Sequence, residues 1–186
     1  MENNLFQKLF TSRQLLFTDG SIFLLKNRKI LIDSKVLSNI TKFIDISSKG
    51  YELYNSIKIS FVEGSAKTMG TTFSFSFKDY FKWLTDIAMV EGWGKFSWGE
   101  LNEQKMEGVI FVEDSPIAKD LIGKVTNPAD HFIRGLIAGG ASASLKVDID
   151  VIEKECIAIG SNRCVFIFKP SDKFEQNAQT KIQLGH

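Results

Sequence analysis

Cys156 and Cys164 are the only cysteines among 186 residues, and seven residues separate them in the stretch EKECIAIGSNRCVFIF, Glu153 to Phe168. Thiolates bind metals and act as nucleophiles. In a reducing compartment a close pair points to a metal site or a redox couple rather than a structural disulfide. Gly160, Ser161 and Asn162 are turn formers, so the segment reads as a hairpin. Pairing symmetric about Gly160 sets Cys156 directly across from Cys164, with Cβ atoms about 4.5–5.5 Å apart, and both sulfurs can then reach one zinc ion. Structural zinc takes four ligands. Glu153 precedes Cys156 by three residues, and on a flat strand that odd spacing sends the two side chains to opposite faces. The apolar pattern slips here, from odd positions at Val147, Ile149 and Val151 to even ones at Cys156 and Ala158. This predicts a bulge near Lys154 or Glu155 that returns Glu153 to the cysteine face. Asp130 or His131 is the candidate fourth ligand. Without a CxxC spacing, two free buried thiols remain the alternative.

These groups must be held by the surrounding elements. Residues 1–13 read as a short helix or arm, and Ser21–Lys26 with Lys29–Asp33 as a hairpin turning at Asn27-Arg28. Val36–Ile46 carries an apolar stripe at 36, 37, 40, 43 and 44, and Tyr51 to about Lys67 a second one, both at helical spacing. Lys78–Val90 is a strongly amphipathic helix that follows the Ser/Phe-rich run TTFSFSF and is stopped by Gly92 and Gly94. The period then changes: KFSWGEL and VIFVED, joined by a polar turn, predict an antiparallel strand pair. Pro128, capped by Asn127, opens a helix through ADHFIRGLIAGGASASL. Its Gly135, Gly139, Gly140 and Ala143 predict close approach of another backbone, because each glycine inside a helix costs about 1 kcal/mol relative to alanine. LKVDIDVIE and CVFIFKP read as the last two strands, and the polar tail from Ser171 as frayed.

Composition narrows the function classes. The chain is long enough to bury a core without disulfides, and 44% hydrophobic with 24% charged residues is ordinary for a globular protein. Lys plus Arg number 23 against 22 for Asp plus Glu, so no global field draws in nucleic acid. Lys26, Arg28 and Lys29 read as a solvated turn. No membrane-length apolar run is present and no signal peptide is read at the N-terminus, so a soluble cytoplasmic protein is expected. With 16 Phe, 3 Trp and 3 Tyr there is more aromatic bulk than a minimal core requires. This points to a well-filled core or an aromatic-walled ligand cavity of several hundred cubic ångströms.

The order GWGKF, a strand pair, NPADHFIRGLIAGGAS and VDIDVIEKECIAIGSNRCVF resembles the 4-vinyl reductase domain family over about Gly50 to Pro170. The resemblance implies an α+β fold, an antiparallel sheet packed against helices. This is the ligand-binding fold of NO-signalling and Golgi-transport proteins, related to core subunits of the TRAPP vesicle-tethering complex. It divides the chain into an arm with hairpin and helix (1–45, a packing or dimerisation element), a ligand-binding domain (46–170) and a tail (171–186). In phenol-sensing transcription activators with this domain a Glu-Cys-Cys set binds zinc together with an upstream Cys. That implies Glu153, Cys156 and Cys164 as ligands here, and the upstream position falls at Asp130, followed by His131.

Three functions follow as expectations. The first is a non-catalytic, dimeric domain that binds or senses a small hydrophobic molecule, with pocket residues Trp83, Ile87, Trp93, Phe96, Trp98, Phe132 and Leu136 and a structural zinc site. It would signal through a partner protein, because no helix-turn-helix or ATPase motif is read in the sequence. The second is a TRAPP-like interaction scaffold, suggested by the apolar LFQKLF, SIFLL and ILI of the first 45 residues. The third, a reductase-associated role in hydrophobic cofactor biosynthesis, is disfavoured. No G-x-G-x-x-G follows a strand, there is no P-loop, and no second internal histidine completes an acid–base pair.

Overall fold

The computed structural model describes residues 5–69 and 76–185. The first four residues of the expected arm, most of the Ser/Phe-rich run and His186 lie outside the described residues. The chain runs α1 (Leu5–Thr11), β1 (Leu15–Thr18), β2 (Ser21–Leu24), β3 (Asn27–Lys29), α2 (Ser34–Ile46), α3 (Gly50–Met69), α4 (Phe77–Val90), β4 (Lys95–Asn102) and β5 (Glu107–Glu113). Then follow α5 (Pro116–Asp120), α6 (His131–Leu145), β6 (Ile149–Glu155), β7 (Cys164–Pro170) and α7 (Ala178–Leu184). The main sheet has the order β4-β5-β7-β6 and is antiparallel throughout.

At the centre lies α6, with eleven of its fifteen residues buried. Its small residues do what their spacing predicts. A Cβ added at Gly135 would lie 2.7 Å from Ile57 Cβ and 2.9 Å from the Tyr54 carbonyl oxygen. One at Gly139 would lie 2.5 Å from Phe61 Cβ and 2.6 Å from the Lys58 oxygen, and one at Gly140 would strike Leu84 of α4. The α3 backbone therefore packs directly on α6. The helix begins at Asp130, whose carboxylate accepts from the Ile133 N–H; the sequence expectation of an Asn127 cap and an opening at Pro128 is corrected. Asp130 wins because it lies next to the first periodic apolar residue, where its oxygen can reach a first-turn amide.

The N-terminal region also differs from expectation. Three strands form instead of two, and the turn falls at Leu25 and Lys26, both at positive φ (52° and 67°), as a two-residue hairpin turn requires. Asn27-Arg28 belongs to β3, and residues 30–33 are not strand. Burial sets this register: Leu9, Leu15 and Leu24 pack with Ile87 of α4 in a small core of their own. The short α5, opened by Ser115 and Pro116, has no sequence expectation behind it.

The tail read as frayed is ordered. Asn177 and Thr180 cap α7 reciprocally, and Thr180, Gln183 and Leu184 are buried. Its anchor is β6. The Glu153 N–H donates to Gln183 Oε1 (2.8 Å), and Gln183 Nε2 donates back to the Glu153 carbonyl (2.9 Å). The same edge is met at Val151 by the Tyr54 hydroxyl and Arg134 Nε, and at Ile149 by the Ser142 hydroxyl. Polar residues in a seemingly solvated tail were thus needed for backbone groups that no strand satisfies.

Candidate functional site

Two sites meet on α6. The first is the thiol cluster at its N-terminal end. The β6–β7 register shifts between Glu153 and Glu155, the bulge expected from the slipped apolar pattern, and the ladder then ends at Glu155 opposite Val165. Cys156 lies just past that pair, and the loop continues as a 3₁₀ turn, Ile157–Ile159, to Gly160 at φ 101°. The consequence is convergence: Glu153, Cys156 and Cys164 are all fully buried, and one carboxylate oxygen and the two sulfurs lie within 4.8 Å of one another.

Asp130 adjoins this group without joining it. Its N–H donates to Glu153 Oε2 (2.9 Å), while its own carboxylate accepts from the Ser115 hydroxyl (2.5 Å). His131 faces elsewhere: its ring packs on Gly50 of α3, and Nδ1 lies 3.3 Å from Arg134. The structure thus brings three of the five expected ligand residues together, with Asp130 next to them and His131 apart.

Electrostatically the cluster is short of positive charge. Burial, then the Cys156 charge, pushes the Glu153 carboxyl well above its usual range, and burial with the Glu153 charge pushes Asp130 up to about 7. The thiols share a proton: a hydrogen bond from Cys164, helped by Glu153 and by the backbone at Ala129 and Ala158, lowers Cys156 to about 7, while Cys164 is raised. Arg134, fully buried, is committed to the Val151 and Gln183 carbonyls and to the Tyr54 ring, 4.2 Å away. Glu153 Oε1 is buried and makes no hydrogen bond. Two thiols and a carboxylate with an unused oxygen, closed off from water, suit a borderline-soft divalent ion such as zinc.

The second site is an apolar cavity of about 170 Å³ between α4, α6, α3 and the two sheets. Of the expected pocket residues, Trp83, Ile87, Phe96 and Leu136 line it. Trp93, Trp98 and Phe132 do not: Trp93 stacks on Phe132 (6.1 Å between centroids), and Trp98 packs edge-on to Phe81 (5.3 Å). The cavity is smaller than the several hundred cubic ångströms expected, because these aromatic pairs fill the core. Sequence reasoning missed Tyr80, Leu84 and Ile137 in the wall. It also missed Glu91 and Lys29, a pair 62 positions apart whose contact no local pattern signals.

Residues 109–170 match the family model of the 4-vinyl reductase domain, which bears out the resemblance read from the sequence. No curated protein matches the chain. Among solved structures the chain is similar to the phenol-responsive sensory domain of the transcription activator PoxR with phenol, at 23% identity over 91% of this chain and 90% of that one, with a TM-score of 0.72. Similarity also extends to a vinyl-4-reductase family protein from Methanocaldococcus jannaschii (21% identity, 77% and 85% coverage, TM-score 0.48). A third is a trafficking protein particle complex subunit 3 from Naegleria fowleri covalently bound to palmitic acid (14% identity, 94% and 95% coverage, TM-score 0.43). The fold is the mixed one expected, an antiparallel sheet packed against helices, shared with the sensory domain. No helix among the described residues is long and apolar enough to cross a membrane.

Proposed function

We propose that the chain is a non-catalytic domain that binds or senses a small hydrophobic molecule, one aromatic ring in size. The observation that carries this reading is the apolar cavity of about 170 Å³ walled by Trp83, Phe96 and Leu136. An engineered cavity of roughly 150 Å³ holds one benzene, so a single ring fits and a fused or macrocyclic ligand does not. The likeness to a domain solved with phenol supports the same class. Glu153, Cys156 and Cys164 would hold one zinc ion, with Asp130 as the adjacent carboxylate. When bound, the ion supplies the positive charge that replaces protons on the buried acids. The residues themselves tie the β6–β7 loop to the start of α6, the helix that carries Leu136. Thermal shift with benzene, toluene, phenol and naphthalene tests the ligand reading. Single rings should raise the melting temperature and naphthalene should not, and Leu136→Trp should abolish the response. No shift from any single ring would overturn it.

A specific observation also favours self-association. Helix α2 buries Ser38 and Thr41 while exposing Val36, Ile40, Phe43 and Ile46, and Ile30 and Leu31 beside it are 85% and 78% exposed. Such a contiguous apolar face suits a second copy of the chain in a homodimer. Light scattering at micromolar concentration should give about 42 kDa, twice the 20.9 kDa chain. A monomer that Ile40→Glu with Phe43→Glu leaves unchanged would refute it. A signalling partner protein would then read the dimer.

A further inference from the structure

The cavity is apolar except at one end, where Glu91 follows the last turn of α4 as its C-cap. Its carboxylate is held on two sides. The Trp93 indole N–H donates to Oε2 (3.1 Å), and the Lys29 ammonium of β3 lies 2.6 Å from Oε1. Oε1 is shut off from water and accepts no hydrogen bond of good angle, so the lysine contact is one of charge and the acceptor is not saturated. A carboxylate offers about four acceptor positions. At least one remains for a group inside the cavity.

The charge balance decides what that group can be. Glu91 and Lys29 neutralise each other, and the C-terminal end of α4 adds partial negative charge at the same place. A neutral ligand with an O–H or N–H donor completes the carboxylate without adding charge. A carboxylated ring would place a second anion against Glu91 in an apolar enclosure. The Lys29 side chain is about one-third exposed, so it does not balance a second buried negative charge at full strength.

We infer that Glu91 is the specificity-determining residue of this cavity: it accepts a hydrogen bond from a neutral single-ring ligand carrying a donor and rejects an isosteric anion, with Lys29 keeping the carboxylate charged. This rests on the ligand-binding reading above but names a residue which that reading does not require. A hydrogen bond to a charged acceptor is worth on the order of 10- to 100-fold in affinity. Calorimetric titration of the full chain with toluene, phenol and benzoate reads it directly. Phenol should bind at least about 10-fold more tightly than toluene, and benzoate more weakly than either. Glu91→Leu should remove the phenol preference while keeping toluene binding. Glu91→Gln, which retains an acceptor of the same shape without the charge, should keep part of the phenol preference and relax the exclusion of benzoate. If toluene binds but wild type prefers neither phenol nor toluene, or if Glu91→Leu keeps the preference, Glu91 is not the selector while the cavity reading stands. If none of the three binds, the cavity reading itself fails.

Discussion

Gly139→Ala puts the close contact of α6 with α3 to a quantitative test. The new methyl would sit 2.5 Å from Phe61 Cβ, 2.6 Å from the Lys58 carbonyl oxygen and 3.3 Å from the Val62 nitrogen. Carbon atoms prefer about 3.5–4.0 Å, so α3 must retreat by about 1 Å. No rotamer change relieves the clash, because the struck atoms are backbone or directly attached to it. Overpacking of this kind costs about 1–3 kcal/mol, here at the upper end. Alanine recovers about 1 kcal/mol through helix propensity. The expected net loss is therefore about 1–2 kcal/mol, a fall in Tm of roughly 3–8 °C for a chain of this size. Gly64→Ala in α3 provides the contrast. A Cβ there meets no heavy atom within 4 Å, so only the propensity gain acts, and Tm should rise by about 1–4 °C. Scanning calorimetry and urea titration of both variants decide the matter. A Gly139→Ala protein as stable as wild type, or both variants moving in the same direction by the same amount, would refute close backbone packing as the reason for these glycines.

Protein purified without chelator should carry up to one zinc per chain by elemental analysis, lost together with some thermal stability in the Cys156→Ser, Cys164→Ser double variant; metal-free wild type with both thiols titratable would count against the site. Gln183→Ala leaves the buried Glu153 N–H without its acceptor, and at about 2 kcal/mol this should lower Tm by roughly 4–8 °C; an unchanged Tm would mean that α7 does not anchor through this side chain. Burial, then the Arg134 charge, pushes the His131 ring down to about 3 from its usual 6.5. The unfolded chain therefore takes up a proton that the folded one refuses as pH falls from about 6.5 towards 3. Stability is lost across that window by up to about 5 kcal/mol. Asp130, raised to about 7, works in the opposite sense, losing stability as pH rises. The difference between wild type and His131→Asn in urea titrations isolates the histidine: the variant should show the flatter acid limb, and an identical pH profile would show that His131 is not buried neutral.

The parts of this structure that were legible in the sequence rest on short-range periodicity. A slip of one residue between Val151 and Cys156 is enough to specify the bulge at Lys154, because a strand alternates faces with period two. Glycines at four-residue spacing specify a helix contact face for the same kind of reason. Other features depend on partners far away in the chain. Leu25 and Lys26 have no preference for positive φ and adopt it because Leu24 is buried against Ile87. Trp83 lines the cavity while Trp93 and Trp98 fill the core, yet all three are half-buried tryptophans on elements of similar pattern. Periodicity tells which face turns inward, and only the assembled packing tells whether that face meets a wall or a void. The polar tail misled for a related reason: Gln183 looks like surface until β6 is seen to need its amide.

The side chains ranged along β6 have one more effect. A strand at the border of a sheet ordinarily offers its free amides and carbonyls to any other chain, which is how sheets propagate into aggregates. Here Ile149, Val151 and Glu153 have those groups occupied by Ser142, Tyr54, Arg134 and Gln183. At the opposite border, β4 breaks register between Trp98 and Leu101, and such an irregularity blunts strand addition. Neither margin of the main sheet is left as a long, regular template. Two copies of this chain would therefore not meet by extending it, and association falls to the helical face of α2, where contact is made by side chains and can be undone.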